Sequence, residues 1–278
     1  MNKWIVGLVA LCTNASVFAE TLLQGEMIQG ALVRGQTTPN SVVHLDDQQL
    51  QVSEQGYFVF GFDRDSKSNH QLVIEHPDGE VETIALDVES RDYQKQVIEG
   101  IAQRIMQPSE EDIARASDNA QMVHQARNQF SDRNDYRADF QWPALGRISG
   151  VYGSQRIYNG VPGRPHFGVD VANPTGSPVV APANGVVTVA DADMFYSGGT
   201  IIIDHGYGVS SSYLHLSKLS VEVGEEVSAG DKIGEIGATG RVTGPHLDWR
   251  LNWFQLRLDP QLIVPPMKQA IAEAKKQQ

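Results

Sequence analysis

Towards the carboxy-terminal end of the chain, the run "GPHLDW" (Gly244 to Trp249) sets His246 and Asp248 two residues apart. On a β-strand, residues two apart face the same way, about 7 Å between Cα atoms, so the imidazole and the carboxylate would stand side by side. Leu247, Trp249 and Leu251 would face the other way, into a core. Any half-exposed strand shows such a division, so the pair by itself does not make a site. Upstream lie His166 and Asp170 in "HFGVD", His205 in "IDHG" and His215 in "YLHLS". Imidazoles and carboxylates are the donors of a nitrogen and oxygen metal site, and histidine is also the commonest acid or base near neutral pH.

His166 and Asp170 are four apart. A helix would put them on one face, but Pro165, Gly168 and the β-branched neighbours argue against a helix. In a straight strand they would stand about 13 Å apart, whereas the ligands of one zinc ion each lie roughly 2 Å from it. The chain must bend if both serve one ion, and Gly168 permits a bend. His205 precedes a Gly-Tyr-Gly turn at a strand end, where backbone groups satisfy a histidine, and it is read as structural.

Cys12 is the single cysteine among 278 residues, so sulfur plays no part in this chemistry once a leader is removed. The first residues, "MNKWIVGLVALCTNASVFAE", read as such a leader. Lys3 is the basic start, Trp4 to Cys12 the apolar stretch and Val17-Phe18-Ala19 the cleavage region, with Glu20 opening the mature chain. The apolar run is shorter than the about 20 residues a membrane-crossing helix needs. A lipid anchor through Cys12 would want a small residue before it, and Leu11 is there instead. Residues 1–19 are thus expected to be a signal peptide, and the protein to be exported, periplasmic or extracellular. A formal charge of −12 argues against nucleic acid or anionic membrane as a partner. With 41% hydrophobic and 20% charged residues, the composition is that of a globular protein with a real core.

The elements that must position these side chains are mainly β. Residues 20–95 carry "SVVHL", "YFVFGF", "HQLVIEH" and "VETIAL", short runs of Val, Ile and aromatics separated by turn signals. Asp78-Gly79 marks a hairpin, and the pattern predicts a small immunoglobulin-like β domain. Its histidines, His44, His70 and His76, are scattered singly and read as structural or exposed. Residues 96–140 shift to Gln, Glu, Arg and Ala and predict a helical linker, with Ser109 as N-cap and Ile113, Ala116, Ala120, Val123 and Phe130 at helical spacing. His124 on it is read as a surface residue. Residues 141–264 show no helical periodicity and predict an all-β domain, and 265–278 a tail that is a short helix or frayed end.

The run from "HFGVD" through "SPVVAPANGVVTVA", "GTIIIDHGYG" and "SYLHLSKLSVEVGEEVSAGDKIGEIGATGRVTGPHL" resembles the lysostaphin-type (LytM-domain) zinc endopeptidases that cut peptidoglycan. The resemblance covers about residues 140 to 260. It implies a C-terminal LytM-type peptidase domain, with His166 and Asp170 as zinc ligands. It also implies His215 and His246 as the catalytic histidines, and peptidoglycan, with other cell-wall enzymes, as partner. The family has a histidine as third zinc ligand, where this chain has Asp248. A carboxylate is a legitimate ligand, but two aspartates neutralise the ion's double charge and should polarise water less. Arg250, two residues on, would either withdraw Asp248 into a salt bridge or act as an outer partner that offsets its charge. The second reading is adopted here. The expected function is a zinc-dependent endopeptidase acting on peptide stems or cross-links of peptidoglycan. The alternative is a decayed relative that binds the wall or activates an amidase. Glycan binding by the N-terminal β domain comes last, because that segment lacks an evident aromatic platform.

Overall fold

The apolar runs of the N-terminal segment fold into two antiparallel sheets in the computed structural model, which describes residues 21–98, 109–158 and 160–276. One sheet joins β1 (Leu22–Gln24), β2 (Leu32–Gln36) and β5 (Tyr57–Gly61). The other joins β3 (Val42–Leu45), β4 (Gln48–Gln49), β6 (Asn69–Glu75) and β7 (Val81–Asp87), in the order β4-β3-β6-β7. Phe58, Phe60, Leu72 and Ile74 are completely buried within this segment. The Asp78-Gly79 hairpin forms as expected: Gly79 has φ +91°, a conformation that favours glycine, and Glu75 pairs with Val81 across it. His70 and His76 are bonded locally, His70 to Asp46 and Ser66, and His76 to Ser41.

The leader region and the cleavage point before Glu20 lie outside the described residues. Among those described, no helix is long and apolar enough to cross a membrane. The helical segment begins with a strand that the sequence reading did not foresee. β8 (Lys95–Ile98) runs parallel to β10 (Gln155–Tyr158), which also pairs with β11 (Val161–Pro162). Helix α1 (Glu110–Asn128) then starts at Ser109, whose side chain accepts from the Asp112 amide while the Asp112 carboxylate accepts from the Ser109 amide. The expected apolar stripe is only partly used. Ile113 is exposed, and the apolar contact with the neighbouring sheet is made by Val123 and Ala126 near the helix's end, while Arg115 and Arg127 add polar contacts to Asp193 and Ser212.

The remainder is one large antiparallel sheet built from β9 (Arg147–Gly150), β12 (Val169–Ala172), β13 (Pro178–Val180), β14 (Gly185–Met194), β15 (Gly198–Gly206), β16 (Val209–Leu219), β17 (Glu226–Val227), β18 (Lys232–Ile236), β19 (His246–Trp253) and β20 (Leu256–Leu258). Its main path is β17-β14-β15-β16-β19-β12-β9. β15 is buried along its whole length because both of its faces are covered. Ile201 and Ile203 belong to the main core, whereas Ile202 packs with Val189 and Met194 beneath α1. On the core side Val169, Val171, Leu247, Trp249 and Leu251 are fully buried, and Trp142 meets Trp249 edge-on. After a 3-10 turn at Pro260–Ile263, the tail forms α2 (Met267–Ala274).

The N-terminal sheets are anchored to this sheet by the segment after β20. Asp259 accepts from Arg91 at 2.9 Å, and its amide donates to Gly30. Leu258 lies so close to Gly61 that a Cβ there would collide with it.

Candidate metal centre and flanking histidines

Strand pairing brings the two carboxylates together. β12 lies antiparallel to β19 with Asp170 directly opposite Asp248 and Ala172 opposite His246. Like charges in directly opposed positions are destabilising unless something positive lies between or beside them. Two glycines make room for the pair. A Cβ at Gly150 would collide with the Asp170 carboxylate, and one at Gly168 would collide with Asp248 and the Arg250 stem. Gly168 therefore serves close approach, which the sequence reading took as freedom to bend.

The bend itself lies just before β12. The His166 amide donates to the Ser154 carbonyl at 2.8 Å, and its own carbonyl accepts from Gly153 at 2.7 Å. Held in this loop, His166 Nε2 comes within 3.1 Å of Asp170 Oδ1. Both atoms are buried, yet neither makes a hydrogen bond among the described residues, so they stand close without being aligned on each other. Among the described residues, His166, Asp170 and Asp248 are the group whose potential ligand atoms gather within 4.8 Å of one another.

Asp248 is 2% exposed. Burial alone would raise its pKa, but the Arg250 charge, then His166 and the hydrogen bonds of Arg250, hold it well below the ordinary carboxylate range. Arg250 Nε donates to both oxygens, at 3.0 and 3.1 Å, and Nη2 donates to Oδ2 at 2.5 Å. The salt bridge anticipated from sequence is thus present, while Asp248 stays within the cluster. The two roles are compatible, because a carboxylate offers about four lone-pair positions. For His166, burial pulls the pKa down, but the charges of Asp248 and Asp170 and the nearness of Asp170 leave it raised.

His215 and His246 flank the cluster with ring centroids 5.0 Å apart. Strict alternation along β16 would put His215 with Ser211 and Tyr213 on the core face. A register shift between Tyr213 and Leu216 intervenes, and His215 takes φ +67°. A non-glycine residue in the left-handed region is uncommon, and β-bulges often re-aim a side chain beside a site. His215 Nδ1 donates to the Thr239 carbonyl at 3.0 Å, and His246 Nδ1 donates to the Gly244 carbonyl at 2.8 Å. Carbonyls only accept, so in the neutral rings both Nε2 atoms are left as acceptors. The His246 Nε2 lies 3.7 Å from Asp170 Oδ1. Burial lowers the His215 pKa, opposed by Asp248, and so favours its neutral form.

His205 is elsewhere. It is fully buried on the opposite face, Nδ1 donating to the Asn184 carbonyl at 2.6 Å and Nε2 accepting from Ser211 at 2.7 Å. His124 lies exposed on α1. Of the residues singled out from sequence, the structure gathers His166, Asp170, His215, His246, Asp248 and Arg250. The spacing glycines and the Thr239 and Gly244 carbonyls were not foreseen, because nothing in a single sequence marks a backbone carbonyl as a partner.

The chain matches the model of Peptidase family M23 over residues 164–260. Peptidoglycan DD-endopeptidase ShyA of Vibrio cholerae is 43% identical over 118 residues, which is 42% of this chain and 26% of that protein. DD-carboxypeptidase/endopeptidase Mpg of Neisseria meningitidis is 41% identical over 102 residues, 37% of this chain and 22% of that protein. The chain thus spans about a quarter of the length of the curated relatives it matches. A crystal structure from Pseudomonas aeruginosa, assigned to peptidase M23, superposes with a TM-score of 0.65 at 26% identity, covering 86% of this chain and 95% of that one. With the same fold across most of its length and the motif residues gathered at one end of the sheet, the chain carries a LytM-type domain of peptidase family M23.

Proposed function

We propose that the protein is a zinc-dependent endopeptidase that hydrolyses peptide stems or cross-links of peptidoglycan. The observation that carries this reading is the convergence of His166 Nε2 and Asp170 Oδ1, buried and without hydrogen-bond partners among the described residues, on the place that Asp248 also faces. Orphaned buried donors and acceptors of this kind call for an occupant, and one nitrogen with two carboxylates suits zinc. Bound there, zinc supplies Lewis acidity that polarises a scissile carbonyl and acidifies water. Two carboxylates would cancel its charge, and Arg250 on Asp248 restores a net positive centre.

The two flanking histidines handle protons. With each Nδ1 tied to a carbonyl, His246 Nε2 takes the proton of the attacking water in this reading. His215 Nε2 becomes a donor, to an oxyanion or to the leaving amine, only once it has gained a proton. The bulge that turns His215 towards His246 is the structural support for pairing them.

Incubation of the full chain, loaded with zinc, with purified cell-wall peptidoglycan tests this reading. Fragments with newly formed amino termini, identified by mass and lost on chelation, are expected. The salt bridge between Asp248 and Arg250 favours a second reading, a wall-binding or amidase-activating protein without metal. It predicts zinc content near zero at saturating zinc and no fragments.

A further inference from the structure

The face of β19 that carries His246 and Asp248 continues beyond them into a second polar region. Register sets Ser212 beside Arg250, and Ser210 beside Asn252 beside Arg257, all on that face. Arg127 reaches in from the end of α1, Nη2 donating to Ser212 Oγ at 3.1 Å. Four buried atoms here make no hydrogen bond among the described residues: Arg127 Nε, Arg257 Nη1, Ser210 Oγ and Asn252 Oδ1. Arg127 is only 4% exposed, so water at the surface does not serve it.

The charges do not balance either. Arg127, Arg250 and Arg257 repel one another, and Asp248 is the carboxylate that all three feel. Asp170 also acts on Arg250, and Asp204, opposite Ser210 on this face, accepts from the Ser131 hydroxyl and the Gly206 amide and makes no ion pair among the described residues. Exposed Arg164 is near enough to add its repulsion to Arg257. In a chain of net charge −12, four cations are thus gathered at one side of the cleft. Uncompensated buried charge is costly. Enclosed water would satisfy the donors but leave the charge, whereas an anion does both, and a planar carboxylate matches the guanidinium fork.

We propose that Arg257, Arg250 and Arg127, with exposed Arg164 nearby, form a carboxylate-binding subsite that takes a free carboxylate of the peptide beside the scissile amide. Arg250 lies two residues beyond Asp248 on one strand face, about 7 Å along it, the reach of one or two residues of extended peptide. The assignment rests on the endopeptidase reading. It makes the subsite a determinant of which amide is presented to the cluster.

Binding of N-acetyl-D-alanyl-D-alanine and of its carboxamide to the zinc-treated full chain tests the subsite. The acid should bind about 10-fold or more tighter than the amide, the scale of a hydrogen bond to a charged group. Arg257→Gln should bring the ratio near one without changing amide binding or metal content, and Arg257→Lys should recover part of it. Arg164→Gln, at an exposed position that packing does not depend on, should lower acid binding a few-fold even where Arg257→Gln does not fold. Equal binding of acid and amide by the parent, no binding of either, or an undiminished ratio in Arg257→Gln would overturn the subsite. An intact ratio with no cleavage of peptidoglycan would sink the endopeptidase reading instead, and cleavage with a ratio near one the subsite alone.

Discussion

The two faces of β16 and β19 treat polar groups in opposite ways. On the core face the Tyr213 hydroxyl donates to Ser211, Ser211 donates to His205 Nε2, and His205 Nδ1 donates to the Asn184 carbonyl. Each of these groups is satisfied inside the protein, and among the described residues Trp249 Nε1 is the unpartnered exception on that face. On the cleft face, or aimed at it, His166 Nε2, Asp170 Oδ1, Arg127 Nε, Arg257 Nη1, Ser210 Oγ and Asn252 Oδ1 are all buried without partners among the described residues. Closed networks rigidify a fold, whereas gathered unpartnered atoms mark where something else must bind. A histidine belongs to the structure or to the chemistry according to which face it reaches.

The largest test of this contrast is His166→Ala. It removes a cleft-face ligand held on a loop, outside the apolar core, so zinc binding and peptidoglycan hydrolysis should both disappear while the thermal transition of the metal-free protein stays in place. Metal content and fragment release by the variant as good as the parent's would end the metal assignment. Next in size are His215→Ala and His246→Ala. Each should keep zinc and lose about 10²-fold or more in rate, the scale of a positioned acid or base. Loss of zinc from His246→Ala would turn that residue into a ligand.

Asp248→Asn sharpens the comparison further. Asparagine keeps the shape but removes the charge that Arg250 faces at 2.5 Å. Zinc affinity and activity should fall together, and the protein should lose about 3–5 kcal/mol of stability, the usual consequence of leaving one partner of a buried pair alone. A variant that holds zinc as tightly as the parent, measured by competition with a chelator, would show that Asp248 serves Arg250 and not the metal.

Much of the β pattern was legible in the sequence because strand alternation and turn residues are local. "HLDWRLNWF" showed its two faces, and Leu247, Trp249 and Leu251 are buried as expected. What was not legible depends on pairing between distant segments. The approach of His166 to Asp170 needs the backbone bonds to Gly153 and Ser154. The side on which His215 emerges depends on a bulge that reverses its parity. Gly150 carries no local sign that a carboxylate from another strand fills its place. Arg127 drew no reading from the sequence, because the sheet that buries it comes much later in the chain. β8 was missed for a related reason, since its partner β10 lies on the far side of the helical segment.

The smallest effect is a pH dependence that belongs to the core face. Burial lowers the His205 pKa, opposed by its bond to Asn184, so the folded protein keeps the ring neutral below the pH at which a free histidine protonates. The unfolded chain binds a proton near pH 6.5. Between that value and the lower folded value the unfolded state therefore carries more protons, and stability must fall as pH falls. His215, also lowered by burial, adds in the same direction. One such group changes stability by at most about 1.4 kcal/mol per pH unit. His166, whose pKa the neighbouring carboxylates raise, acts in the opposite direction, so the His205 contribution is read as the difference between parent and His205→Gln in denaturant unfolding of the metal-free protein from pH 7.5 down to pH 5. His205→Gln should start from a less stable protein, because glutamine does not reproduce both ring contacts, but should decline less steeply. Parent and variant curves of equal slope over this range would mean that His205 takes up a proton in the folded state. The Tyr213-to-Asn184 chain would then not be the closed network that separates the core face from the cleft.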